Sequence, residues 1–107
     1  MDLKTLGELL KEAREAKSLL LRQVAAAINA DTAMISKFEK GERRPSREQI
    51  AELAKVLGKD EKELLVSLLS DKVALDLVNE DVAKEALKVA EKKIQEMQNK
   101  RIVKGNE

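Results

Sequence analysis

Apolar residues fall at helical spacing almost from the start of the chain. Leu6, Leu9, Leu10 and Ala13 recur at i, i+3, i+4 and i+7, while Lys4, Glu8, Lys11, Glu12 and Glu15 take the other side, so the spacing predicts a first helix over 3–17. A second helix begins near Leu20 and turns Val24, Ala25 and Ile28 inward. It ends at Asn29, one of the few non-glycine residues that accept a left-handed backbone. Asp31 or Thr32 then offers a side-chain oxygen to the free amides of a short third helix, which reaches Lys40 and stops at Gly41. After the loop 42–45, Ser46 with Gln49 forms a capping box that opens a fourth helix, with Ile50, Leu53, Ala54 and Leu57 as its stripe and Gly58 as its close. Asp60 with Glu63 repeats that pattern for a fifth helix, which carries Leu64, Leu65, Leu68 and Leu69 and is predicted to end near Ser70.

Beyond Ser70 the pattern changes. Val73, Leu77 and Val78 suggest a short sixth helix, and the acidic start Asn79-Glu80-Asp81 suits the positive end of a seventh running to about residue 101. Within it Ala83, Leu87, Ala90, Ile94 and Met97 are spaced 4, 3, 4, 3, a heptad seam that either packs on its own domain or meets a second copy. The tail 104–107 is expected to fray. The expected organisation is therefore an all-α chain in which residues 1–70 form a five-helix domain and residues 71–107 a C-terminal helical extension, possible as a dimerisation element.

Composition agrees and then restricts the chemistry. With 43% hydrophobic residues, 38% charged residues, four Gly and one Pro in 107 residues, little interrupts a helix, and the length suits one domain with an extension. There is no His and no Cys, so imidazole acid/base catalysis, thiol chemistry, disulfides and the usual zinc and iron-sulfur ligands are missing. The carboxylates lie among lysines at helical spacing, as on a solvated face, and form no paired acid/base site. An enzyme, a bound cofactor and a metal are therefore not expected. Neither is a membrane partner, since no apolar run approaches the roughly 20 residues that cross a bilayer. The charged N-terminal stretch lacks the apolar run of a signal peptide, and a cytoplasmic, nucleoid-associated bacterial protein is expected.

The net charge of +1 argues against a protein that coats polyanions indiscriminately, so any nucleic-acid face must be local. One compact candidate exists: from Lys37 to Arg47 stand five cations, Lys37, Lys40, Arg43, Arg44 and Arg47, against Glu39 and Glu42. It coincides with the layout over 21–40 of short helix, tight turn and short helix, with the small Ala25 where the two would cross. That layout lets a second helix protrude into a DNA major groove while the first braces it. Val24, Ile28, Ala30, Met34, Ile35 and Phe38 read as anchors, leaving Thr32, Ala33, Ser36, Lys37 and Lys40 outward.

The string VAAAINADTAMISKFEKGERRPS, with Ile35-Ser36, Glu39, Gly41 and Pro45-Ser46, followed by LAKVLGKDEKELL, resembles the Xre/lambda-repressor-like helix-turn-helix family over about residues 6–69. The stretch LKEAREAK looks like the family's L-R-x-x-R pattern, with Lys11 in place of its first arginine. The resemblance implies a five-helix lambda-repressor-like DNA-binding domain in which Arg14 pairs with Glu39 as a structural contact. It also implies that Thr32, Ala33 and Lys37 face bases while Ser36, Lys40, Arg43 and Arg44 lie near phosphates. The chain departs from the family at the start of helix two, where relatives commonly carry Gln and this chain has Leu21; Arg22 or Gln23 is the natural replacement as a backbone contact.

On this reading the chain is a sequence-specific transcriptional regulator, a repressor or autoregulator, that binds a palindromic operator on double-stranded DNA as a homodimer. Its size, Leu21 and its extension resemble small regulators encoded beside restriction-modification or other mobile-element genes. A different class of function is a protein-interaction module that works through residues 71–107, with DNA contact secondary.

Overall fold

The computed structural model describes residues 3–105, and these contain six helices and no strand. They are α1 (Leu6–Ala16), α2 (Leu21–Ala27), α3 (Thr32–Lys40), α4 (Arg47–Leu57), α5 (Glu61–Leu77) and α6 (Ala83–Gly105). Local chemistry sets most of their ends. The Thr5 hydroxyl accepts from the Glu8 amide at 3.2 Å, so α1 starts three residues later than the apolar spacing alone suggests. Asp31, not Thr32, caps α3 by accepting from the Met34 amide at 2.7 Å. Ser46 and Gln49 form the reciprocal box on α4, with distances of 3.1 and 2.8 Å. Asn29 takes φ +55°, as its position after α2 requires. Gly41 takes φ +76° and lets the Glu42 amide return to the Lys37 carbonyl at 2.9 Å, a closure that side chains with a Cβ resist.

The chain divides into two compact units, one up to Val73 and one from Ala74 onward. In the first, α3 packs on both α1 and α2, and α4 closes beneath α1 and α2. Its core is Leu6, Leu10 and Ala13 from α1, Val24, Ala25 and Ile28 from α2, Ile35 and Phe38 from α3, Ile50, Leu53, Ala54 and Leu57 from α4, and Leu64 from α5. Leu9, Leu65 and Leu68 are half-buried, and Leu69 is exposed. Of the anchors expected in the helix-turn-helix segment, Met34 and Ala30 sit at the edge of this core, not inside it.

The expected break near Ser70 does not occur. α5 continues through it to Leu77, absorbing the short sixth helix. Residues 70–72 contain no Gly or Pro, and the Asp71 carboxylate accepts from the backbone amide of Leu6 at 2.8 Å. That amide is one of the unpaired donors at the start of α1, so α5 gains a tertiary partner for a residue of modest helix propensity. In the second unit, the turn 78–82 is closed by Glu80 N to the Leu77 carbonyl at 2.9 Å, and α6 then runs to Gly105. The fraying expected over 104–107 falls on Lys104 and Gly105, which close α6, and on Asn106 and Glu107, which lie outside the described residues. None of the helices is long and apolar enough to cross a membrane among the described residues.

Candidate nucleic-acid interface

The outward face of α3 follows from its inward one. Ile35 and Phe38 are buried, and at 3.6 residues per turn Thr32, Ala33, Ser36, Lys37 and Lys40 occupy the opposite arc. All of these are exposed except Ser36, which is half-buried. Nine residues make a rod about 13 Å long, and an α-helix with its side chains is about 10–12 Å across, which a major groove about 12 Å wide admits. The crossing of α2 on α3 buries Ala25 to 3% exposure, which fits the small side chain there.

Two contacts fix α3 from behind. The Arg14 guanidinium donates through Nε to Glu39 at 2.8 Å and through a terminal nitrogen at 3.1 Å, a bidentate fork between side chains only 13% and 8% exposed. Its remaining terminal nitrogen donates to the Leu19 carbonyl at 2.9 Å, tying the turn before α2 into the same group. The Glu39 hydrogen bond raises the Arg14 pKa from its already high ordinary value, against the opposing effect of burial, so the guanidinium stays charged at any working pH. The second contact is steric: a Cβ placed on Gly7 would meet the Glu39 carbonyl oxygen at 2.4 Å and that of Phe38 at 2.8 Å. α1 thus lies directly against the backbone at the end of α3. The pairing of Arg14 with Glu39 was implied by family resemblance; the Leu19 bond and the Gly7 approach have no local signal in the sequence.

This arrangement sets the sign of the outer face. Glu39 is the acid nearest the end of α3, and its charge is turned inward and neutralised by Arg14. Among the described residues no ion pair involves Arg22, Lys37, Lys40, Arg43, Arg44 or Arg47, all of which are exposed. Lys37 and Lys40 also complement the negative end of the α3 dipole, which a purely structural role would explain, but Arg43 and Arg44 lie past that end on the loop before the buried Pro45.

At the start of α2, Leu21 packs against the core and presents no donor. Gln23 accepts from the Leu20 amide through Oε1 at 2.7 Å, which orients its side chain and leaves the amino group to donate elsewhere. Arg22 and Gln23 are both exposed in this first turn. No cluster of acidic, His or Cys side chains able to hold a metal occurs among the described residues.

Comparison with known proteins agrees with this geometry. The helix-turn-helix family model matches residues 10–64. Among solved structures, the restriction-modification controller protein C.AhdI from Aeromonas hydrophila is 32% identical, with a TM-score of 0.52, over 55% of this chain and 86% of its own. Two structures of the clp gene regulator ClgR from Corynebacterium glutamicum are similar at 27% and 29% identity. Their TM-scores are 0.53 and 0.55, and they cover 62% and 74% of this chain and 86% and 83% of their own. No curated protein sequence matches.

Proposed function

The chain belongs to the Xre/lambda-repressor-like helix-turn-helix family, and from that premise we propose that it is a DNA-binding transcriptional regulator that reads a palindromic operator as a homodimer. The observation that carries the reading is the face of α3 and its following loop: a set of exposed, unpaired cations beside a helix whose nearest carboxylate is neutralised from within. Lys37 donates to guanine O6 and N7, Thr32 bonds a base edge, and the methyl groups of Thr32 and Ala33 meet thymine methyls. Ser36, Lys40, Arg43 and Arg44 hold phosphates, joined by Arg22 and the free amino group of Gln23 in place of the donor that Leu21 lacks. Polar readout on this surface is sparse, so specificity leans on paired half-sites and on DNA shape, with Arg43 or Arg44 entering a narrow minor groove.

Pairing needs an apolar contact, and two stripes are available. On α5, Val66, Leu69 and Val73 stand exposed at i, i+3 and i+7; on α6, the seam residues Leu87, Ile94 and Met97 are 50%, 53% and 60% exposed. A homodimer on a palindrome places two α3 helices in successive major grooves roughly 34 Å apart. Repression follows from occlusion of a promoter, and the likeness to C.AhdI supports a place beside restriction-modification or other mobile-element genes.

The test is selection of bound duplexes from a randomised pool, followed by affinities at two salt concentrations. An enriched palindrome with steep salt dependence is the expected result. Lys37→Ala then changes the preferred base at a cost of roughly 1–3 kcal/mol, while Arg43→Ala and Arg44→Ala weaken all sequences alike and flatten the salt slope by about 1 each. Indifference to all three substitutions rejects the reading. Absence of any enriched sequence moves the function to protein interaction through the extension.

A further inference from the structure

We propose that α6 pairs with α6 of a second copy in antiparallel orientation, with Lys84 and Glu91 as the residues that select the partner. The inference rests on the homodimer reading above and adds to it an orientation decided by α6 alone.

The seam of α6 alternates large and small. In heptad terms Leu87 and Ile94 take the a positions, and Ala83, Ala90 and Met97 take the d positions. In a parallel pair in register each seam residue meets its own counterpart. Two layers would then be Ala against Ala, leaving space that neither side chain fills, and the next a position would set Arg101 against Arg101. Reversing one helix makes a face d instead. Leu87 then meets Ala90 of the second copy and Ile94 meets its Ala83, and two-fold symmetry makes each contact occur twice. All four layers combine one branched side chain with one methyl, which fills the seam evenly and lets the axes approach to about 8 Å. Leu87 and Ile94 stand exposed in the single chain, so this contact has apolar surface to bury.

The charges beside the seam choose the register. Reversal of one helix brings e opposite e and g opposite g. With Leu87 on Ala90, the exposed Lys84 faces the exposed Glu91 of the second copy on one flank, again twice, and on the other flank the stem of Lys93 lies over Ala86. Among the described residues neither Lys84 nor Glu91 is in an ion pair within its own chain. Sliding one helix by a heptad lengthens the overlap but sets Glu91 against Glu91 and Lys93 against Lys93, which opposes that register. A parallel pair uses neither charge, since there Glu91 faces Ala86, Lys93 faces Gln98, and Lys84 has no facing residue on α6. Packing and charge therefore agree on one arrangement, in which the starts of the two helices lie at opposite ends of the pair, about 16 Å apart along its axis.

The experiment is sedimentation equilibrium of the full-length protein without DNA, at tens of micromolar and at low salt, where exposed charges are least screened. K84E makes both flanking positions acidic and E91K makes both basic, so in an antiparallel pair each variant repels itself. Each is expected to weaken self-association by about tenfold, as two attractive contacts turn repulsive. An equimolar mixture of the two, in which every facing pair is opposite in sign, is expected to regain the parent's affinity. Both positions are exposed and Lys and Glu have similar helix propensity, so circular dichroism should show unchanged helix content. Single variants that dimerise as tightly as the parent would overturn the proposal, as would a mixture no tighter than its components. So would a disulfide-linked dimer of A83C, because only the parallel pair brings Ala83 against its own counterpart; the sequence has no Cys of its own to interfere. A parent that is monomeric here but occupies a palindromic duplex in pairs overturns the orientation and leaves the homodimer reading standing, whereas a parent that also binds the palindrome singly overturns both.

Discussion

Arg14 shows how one side chain serves both stability and the charge of the outer face. It is bidentate to Glu39, bonded to the Leu19 carbonyl and largely buried, so removing it leaves a carboxylate without its partner in a desolvated place. Arg14→Ala is expected to destabilise the domain by about 3 kcal/mol, read from the urea midpoint. Arg14→Lys should recover little of that, because an ammonium cannot reproduce the planar fork. Gly7 tests a different force. In an open helix Gly→Ala stabilises by roughly 0.5–1 kcal/mol, but here the added methyl meets two carbonyl oxygens of α3 well inside van der Waals contact. The overlap wins: Gly7→Ala is expected to lose about 1–3 kcal/mol in the same measurement, and a gain in stability would show that α1 and α3 separate freely.

At the scale of elements, the informative helix is α5. Its continuation past Ser70 brings Asp71 to the first amide of α1, so the end of the domain is held by a residue 65 positions from its partner. Asp71→Ala is expected to cost about 2 kcal/mol by leaving that part-buried amide unpaired, whereas Asp71→Asn keeps an acceptor and costs less. The boundary after residue 70 expected from the sequence divides this helix before the contact. A chain ending at Leu77 is therefore expected to melt several degrees above one ending at Ser70, a difference that thermal unfolding followed by circular dichroism would register. Equal melting temperatures would mean that the Asp71 contact contributes nothing.

For the whole molecule, function depends on whether two copies act together. Two weak half-site contacts become one tight one when the second binding event is intramolecular, so a chain ending at Leu77 should bind an isolated half-site weakly and gain little from a palindrome. The full chain is expected to sediment as a dimer at tens of micromolar, and Leu87→Glu with Ile94→Glu, which places charge on the α6 seam, should return it to a monomer. A monomeric parent under those conditions would move pairing onto the DNA itself, and a dimer that survives the α6 substitutions would move it onto the exposed stripe of α5.

The sequence by itself determined whatever is decided within one or two helical turns. The apolar period located α1 to α5, the capping box at Ser46 and Gln49 opened α4, and Asn29 and Gly41 marked the ends of α2 and α3, because each of these signals links residues at most a few positions apart. The outward residues of α3 were legible for the same reason, since burying Ile35 and Phe38 leaves Thr32, Ala33 and Lys37 nowhere else to point. Tertiary structure alone decided the approach of Gly7 to α3, the third bond of Arg14, the position of Met34 at the rim of the core, and the passage of α5 through Ser70. Each of those depends on groups far apart in the chain that meet after collapse, and a close approach or a distant acceptor leaves no periodic mark on the residues between.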